Sequence, residues 1–330
     1  MEWREALADD SADAGAEGSK APNGPSTMIA SIRTGLGGYV RQEQARYGAL
    51  FVLPTLLFFC VFIAWPVAYS FYLGFFEWSP LDPRPRPVGL ANYQELLTSR
   101  SFLRTIANTF VFTVGTLALT VVGSIALALA LNQGLRGTAF FRGVYYSPVV
   151  TSLVATAVIW LWILDPQFGV VNQFLRSAGL PAPGWAADAF WAMPTVIVTF
   201  SWREIGYFTV IYLAGLQGIP NELKEAARID GCGAWRVFRH ITLPLLMPTT
   251  LLVLVLSVIR ATQNAFGVIY VMTGGGPVEA TNVIVLYLYQ QAFQFFRMGY
   301  ASAVAYVLFA FIFIATLIQF RLLGRRTEIY

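Results

Sequence analysis

Asn221–Pro244 reads NELKEAARIDGCGAWRVFRHITLP, a charged, helix-favouring stretch in a chain that is 56% hydrophobic and 12% charged. Pro220 and Asn221 suit a helix start, since proline is tolerated in the first turn and asparagine can cap free amides. Glu222 to Ile229 are good helix formers, and Leu223, Ala226 and Ala227 share one face at the i, i+3, i+4 spacing. Asp230 and Gly231 should stop the helix, because glycine accepts the left-handed conformation that ends many helices. A second short helix is expected over Ala234–His240, and Pro244 and Pro248 mark the end of the segment. The pattern is helix, turn, helix, presenting a small apolar knob of alanines framed by charge.

The rest of the chain supplies the setting. A soluble domain is about 45–50% apolar and about 25% charged, whereas these 330 residues have a mean hydropathy of +0.59. That balance belongs to a membrane protein. A net charge of +4 is accounted for by basic residues in loops on one side of a membrane, so no nucleic-acid partner is expected. The two cysteines, Cys60 in an apolar run and Cys232 in the charged stretch, should stand at different depths and form no bridge. His240 is the single histidine, which leaves no His-rich metal site and suggests a surface or capping role. Residues 1–46 are rich in Ala, Gly, Ser and charge, with Glu2, Asp9, Asp10 and Glu17 near the front. They lack the basic start and apolar core of a secretory signal and read as a largely disordered tail, with a surface helix around Ser31–Tyr47.

A membrane-crossing helix needs about 20 mostly apolar residues. Six segments meet this: Tyr47–Phe76, Thr105–Leu131, Val144–Leu164, Phe190–Leu216, Leu246–Met272 and Tyr300–Leu322. Pro54 and Pro66 suggest a kink in the first. The connections SPLDPRPRPVG and LPAPGW cannot continue a helix. Lysine and arginine are retained on the cytoplasmic side. With the N-terminus inside, 14 of the 22 basic residues lie in cytoplasmic segments and six outside, the other two being Arg203 and Arg260 within spans. Both termini are then cytoplasmic, and so is the loop 217–246 that holds the opening stretch.

Two readings of that loop follow from its chemistry: a surface helix resting on lipid headgroups, or a docking element for a soluble partner. Small residues favour docking, because alanines admit another backbone while offering little area to lipid. Ionisable residues inside spans are costly and mark functional positions. Arg203 and Glu204 lie beside Trp202 and Tyr207 in the fourth span, and Arg260 precedes Gln263 and Asn264 in the fifth. Arg203 and Tyr207 are i, i+4, while Arg260, Gln263 and Asn264 are i, i+3, i+4, so each helix carries a polar stripe that should face the bundle interior. Aromatic rings beside hydrogen-bonding groups suit a sugar. Alternatively, Glu204 and Arg260 pair with each other, or with a partner subunit, and simply hold helices together.

Glu225-Ala226-Ala227, three residues, Gly231, nine residues, then Ile241-Thr242-Leu243-Pro244 resembles, at full spacing, the EAA signature of permease subunits of binding-protein-dependent ABC importers. LNQGLRGTAFFR (Leu131–Arg142), LAGLQGIP (Leu213–Pro220), IYVMTGGGP (Ile269–Pro277) and MGYAS (Met298–Ser302) resemble the sugar-uptake branch related to maltose and glycerol-3-phosphate permeases. The likeness spans about Tyr47–Arg326. It implies an all-α permease fold of the type I importer kind: a six-helix domain over 47–326, a cytoplasmic coupling loop over 217–246 and a short cytoplasmic end over 327–330. It further implies that Glu225, Ala226, Ala227, Asp230 and Gly231 dock into a cleft of a cytoplasmic ATPase subunit. The partners implied are two ATP-binding subunits, a second homologous permease, an extracytoplasmic solute-binding protein and the bilayer of a bacterial or archaeal inner membrane. The family's substrate contacts come from the same two helices, with Tyr207 and Asn264 at matching positions. Arg203, Glu204 and Arg260 depart from the maltose-type pattern and leave open a charged ligand, such as a glycerophosphodiester or an acidic sugar.

The chain should bind no cofactor itself. Its only lysines, Lys20 and Lys224, stand in no GxxxxGK[ST] loop, and Gly274–Gly276 reads as a turn outside the membrane. ATP therefore belongs to the partner, and the chain is not an enzyme. A stand-alone secondary transporter or channel is the alternative, but the halves show no convincing inverted repeat. A membrane-embedded enzyme would need a nucleophile and base, or a metal cluster, which this composition does not supply.

Overall fold

In the computed structural model the described residues are 47–48, 50–133 and 137–327. The expected acidic tail over 1–46 and its surface helix, Arg136, and residues 328–330 lie outside them. The chain divides into two units, 1–67 and 68–330, and the division falls inside helix α1 (Leu50–Leu73).

In the first unit α1 exposes apolar side chains all round, among them Phe51, Phe58, Phe62 and Trp65. Such a helix belongs in lipid or against another apolar surface. Pro66 has no N–H to donate, and the turn before it widens: Cys60–Ala64 is a π-turn in which the Trp65 N–H reaches the Cys60 carbonyl. The expected disturbance at Pro66 therefore takes the form of a bulge.

The second unit begins with the end of α1, where Phe71 packs edge-on to Tyr306 with centroids 4.9 Å apart. Strands β1 (Phe76–Ser79) and β2 (Asp82–Pro87) then pair antiparallel, with Phe76 opposite Pro87 and Ser79 opposite Asp82. This hairpin was not anticipated by the all-helical reading. Three prolines alternate along β2, which an edge strand tolerates because one row of its amides needs no partner.

Helices α2 (Ala91–Thr98) and α3 (Arg100–Leu131) follow, separated by Ser99, whose hydroxyl accepts from the Phe102 N–H at 3.3 Å. Helices α4 (Thr138–Val150) and α5 (Leu153–Ile163) are bent from one another by 103°. The apolar segment expected over Val144–Leu164 is helical on both sides of the bend but is not one straight helix. Pro148 withholds an amide near the end of α4, and Ser152 caps α5 by accepting from the Ala155 N–H at 3.1 Å.

After α6 (Val170–Ser177) come α7 (Ala192–Gln217), α8 (Asn221–Ile229), α9 (Ala234–Val237), α10 (Met247–Met272), α11 (Ile284–Tyr289) and α12 (Met298–Thr327). The Gly274–Gly276 run is a tight turn, with Gly274 and Gly275 at φ +60° and +92°. Among the described residues four helices are long and apolar enough to cross a membrane, α1, α3, α10 and the Met298–Leu322 part of α12, and a fifth span results if α4 and α5 count as one. Helix α7, expected as a span over Phe190–Leu216, has the length but is diluted by polar residues at its centre.

Helix α7 lies at the heart of this unit. One buried cluster joins it to α3, α10 and α11 through Phe112, Phe200, Ala265, Ile269 and Leu286, and another joins it to α3 and α10 through Ala128, Phe208, Tyr212 and Val253. The face of α3 against α7 is made of small residues: Thr116, Thr120, Ser124 and Ala128 recur at four-residue spacing and are all buried. A side chain at Gly123 would begin 2.7 Å from Ile205, and one at Gly115 would begin 2.8 Å from Ile197, so the backbones approach closely. The Ser124 hydroxyl uses that proximity to donate to the Ile205 carbonyl at 3.2 Å.

Candidate functional site

Two places carry the residues singled out in the sequence. The first is the loop between α7 and α10. Its helix α8 starts at Asn221, with Pro220 in the N-cap position and no side-chain cap. The capping expected of Asn221 is therefore absent, because asparagine has become the first helical residue. The end of α8 is better specified. Gly231 sits at φ +78°, its N–H reaches the Arg228 carbonyl at 3.0 Å, and the Cys232 N–H reaches the Ala227 carbonyl at 2.9 Å. These two bonds form a Schellman motif, and the positive φ explains the glycine. A side chain there would meet nothing within 4 Å, so only the backbone angle demands glycine.

The second helix, expected over Ala234–His240, runs on as α9, a π-turn at Phe238–Thr242 and a last turn at Leu243–Leu245. Pro244 has no N–H, and the wider turn before it absorbs the loss, as at Pro66. His240 Nδ1 lies 3.1 Å from the Arg236 carbonyl, a local exposed contact.

On its outer side the loop presents Leu223, Ala226, Ile229 and Asp230, with Ile229 87% exposed. Glu225 faces elsewhere. With Lys224 and Arg228 it lines a cavity of about 660 Å³, closed by Leu129 and Asn132 at the end of α3, Leu216 at the end of α7, and Trp235. Ala227 is half-buried. Of the five loop residues named from the sequence, Ala226, Asp230 and Gly231 are thus outward, and Glu225 looks back towards the helix ends.

The second place lies at the middle of two helices. Glu204 comes 12 residues after Ala192 and 13 before Gln217 in α7, and Arg260 comes 13 after Met247 and 12 before Met272 in α10. The Glu204 side chain is 2% exposed. Arg260 grips both of its oxygens, Nε to Oε2 at 2.6 Å and Nη2 to Oε1 at 3.0 Å. Arg203 donates from Nη1 to Oε1 at 3.1 Å and from Nη2 to the Val149 carbonyl of α4 at 3.2 Å. The Arg260 guanidinium also lies over the Tyr207 ring, 4.3 Å from its centre. Gly206 lets α4 ride against α7, since a side chain there would collide with the Tyr145 carbonyl.

The structure thus brings together Arg203, Glu204, Tyr207 and Arg260. Trp202 is exposed beside them and meets Trp160 edge-on at 5.8 Å. Gln263 is exposed and Asn264 half-buried, and neither joins the cluster by a hydrogen bond among the described residues. The spacing that grouped them with Arg260 is real, but the carboxylate draws the arginine to α7. Sequence reasoning missed the Val149 carbonyl and the cavity of about 900 Å³ between α4 and α7, lined by Arg142, Tyr145, Tyr146, Thr151, Val210, Ala214 and Gln217 among others. No contiguous motif marks that cavity. Pro148 and Gly206, which set α4 at its angle and distance, were the available signals. Among the described residues no group of His, Cys, Asp and Glu is placed to hold a metal ion.

The fold is shared with known proteins. Residues 120–329 match the model of the binding-protein-dependent transport system inner membrane component family. A probable ABC transporter permease protein, YurN, of Bacillus subtilis is 35% identical over 82% of this chain and 94% of its own length. The sn-glycerol-3-phosphate transport system permease protein UgpA of Agrobacterium fabrum is 32% identical over 84% of this chain and 95% of its own length. Among solved structures, a chain of a bacterial ABC transporter involved in the import of the acidic polysaccharide alginate superposes with a TM-score of 0.75 at 26% identity. It covers 88% of this chain and 98% of that one. The chain belongs to the family of inner membrane components of binding-protein-dependent transport systems. It is a multi-pass membrane protein, the non-catalytic permease subunit of an ABC importer, and ATP hydrolysis belongs to a separate subunit.

Proposed function

We propose that the loop over 217–246 is the coupling element of this permease and that α8 and its turn insert into a cleft of a cytoplasmic ATP-binding subunit. The observation that carries this is the outer face of the loop. Leu223, Ala226 and Ile229 are exposed on a helix whose end is fixed by a Schellman turn, so the knob is both apolar and rigid before anything docks on it. A preorganised apolar knob loses little entropy on binding. The lipid-surface reading has less support: the apolar area is small, and Glu222, Lys224, Arg228 and Asp230 surround it.

Around that element the assembly comprises two ATP-binding subunits, a second homologous permease and an extracytoplasmic solute-binding protein. The chain crosses the bilayer six times, with α4 and α5 together as one bent span and α7 as another, and both termini are cytoplasmic. The basic residues of the loop and of the end of α12 support this orientation. The solute is a carbohydrate or a related compound of the sugar, oligosaccharide or glycerol-phosphate type, which the transport roles named for the relatives support. The chain contributes no cofactor site of its own.

The test is ATP-dependent uptake into vesicles holding this chain and its partner subunits, with Gly231→Trp in the permease. A loss of uptake of tenfold or more, with the complex still assembled, is expected. Unchanged uptake, or uptake that follows an ion gradient without the ATPase subunit, defeats the coupling reading.

A further inference from the structure

The cluster at the centres of α7 and α10 is not neutral. Glu204 supplies one negative charge, and Arg203 and Arg260 supply two positive ones. Arg260 occupies both carboxylate oxygens in a bidentate grip, which is a complete ion pair by itself. Arg203 shares one of those oxygens at the longer distance and otherwise leans on a neutral carbonyl, and its Nε has no hydrogen-bond partner among the described residues. A surplus cation at the centre of a membrane-spanning bundle is costly and calls for a further anion.

The surroundings indicate from where that anion comes. Arg203, Tyr207, Val210, Ala214 and Gln217 follow one another at i, i+4, i+7, i+11 and i+14, so they form one stripe along α7. The last three of them line the cavity of about 900 Å³ between α4 and α7. From the other wall, Val150 and Thr151 line the same cavity, and the carbonyl that Arg203 touches is that of the neighbouring Val149. Among the described residues the cavity lining contains Arg142 and no acidic residue. A solute moving along this stripe passes from one arginine towards another with no carboxylate to repel it. The Arg203 and Arg260 side chains remain 15% and 24% exposed, so the surplus charge is not sealed in.

We infer that the Arg203–Glu204–Arg260 cluster is an anion-recognising subsite of the transport pathway and that the solute carries a carboxylate or phosphate. Arg203 supplies the unneutralised charge, while the Glu204–Arg260 pair positions it. The inference rests on the permease reading above and adds the charge of the solute. Planar guanidinium groups match both carboxylate and phosphate oxygens, so the two chemistries share the site.

The variant that isolates the surplus charge is Arg203→Gln, because it leaves the Glu204–Arg260 pair whole. The assay is binding-protein-driven, ATP-dependent uptake by the complete importer in vesicles, using pairs that differ in charge: glycerol 3-phosphate against glycerol, and an oligogalacturonate against a maltooligosaccharide of equal length. The wild-type importer is expected to carry at least one anionic member tenfold or more faster than its neutral counterpart. Arg203→Gln should reduce that anionic uptake about tenfold and collapse the ratio, and Arg203→Lys should restore much of it. The ratio is the readout that a purely structural role would not move. A wild-type preference for the neutral members, no uptake of either anionic member, or equal loss for both members in Arg203→Gln overturns the inference. Equal loss together with poor assembly would assign the surplus charge to a partner subunit's carboxylate instead. In each of these cases the permease reading stands as long as uptake of some solute needs ATP. Uptake that ignores ATP removes both.

Discussion

The α7–α10 loop and the centre of the same two helices hold comparable charge in opposite settings. In the loop, Glu222, Lys224, Arg228 and Asp230 surround an exposed apolar knob, and the backbone does the holding through the two bonds of the Schellman turn. At the centre, Glu204 is buried and side chains do the holding, with Arg260 closing a bidentate pair across 56 residues of sequence. The difference teaches where each region is vulnerable. A buried carboxylate between two guanidiniums cannot lose its charge without stranding two cations. An exposed turn can lose its fit to a partner while the fold hardly notices.

Glu204→Gln should have the largest effect on folding, a destabilisation of about 3–5 kcal/mol, the usual cost of breaking a buried pair from one side. The check is the yield and thermal stability of the extracted complex. Wild-type stability in this variant would remove the contrast altogether. Gly206→Ala comes next, at about 2 kcal/mol, because its new methyl group meets the backbone of Tyr145 and not a yielding side chain. Thermal unfolding of the complex measures it, and a neutral result would mean that α4 is free to move away from α7. Gly231→Trp is smaller in stability, about 1–2 kcal/mol at most for a left-handed residue with open space around it. It carries the loss of coupling tested above. Ile229→Ser should change stability by less than about 0.5 kcal/mol, since Ile229 is 87% exposed. Co-purification of the ATP-binding subunit should nevertheless fall. If Ile229→Ser unfolds the protein while binding is preserved, the knob is packed in some way that its exposure does not reveal.

Much of this was legible in the sequence. The limits of the long helices fall within a few residues of the apolar windows, because a segment that must satisfy its own amides in lipid has to be both apolar and helical. The loop was legible because its end is encoded locally, by a glycine that takes a positive φ. The cluster was legible only in part. Its residues announced themselves as charges in apolar runs, yet spacing within one helix could not reveal that Arg260 reaches across to Glu204 and leaves Gln263 and Asn264 aside. The bend between α4 and α5 was missed because composition is blind to direction: Pro148 and Ser152 fix the turn, while the residues on either side stay apolar. The hairpin was missed because β2 is so rich in proline. The small-residue face of α3 lay in plain view as Thr, Ser and Ala at four-residue spacing, but its meaning depends on Gly115 and Gly123 meeting α7, a fact of packing.

The Glu204–Arg260 pair has a mechanical consequence. Helices α7 and α10 are each 26 residues long, about 39 Å at 1.5 Å per residue, and the pair joins them within a residue of both midpoints. The loop that would meet the ATP-binding subunit joins the same two helices at one end. The pair is therefore placed as a fulcrum with arms of equal length. Were the two helices to pivot there as stiff rods, a displacement imposed at the loop would reappear at their far ends with equal size and opposite sign.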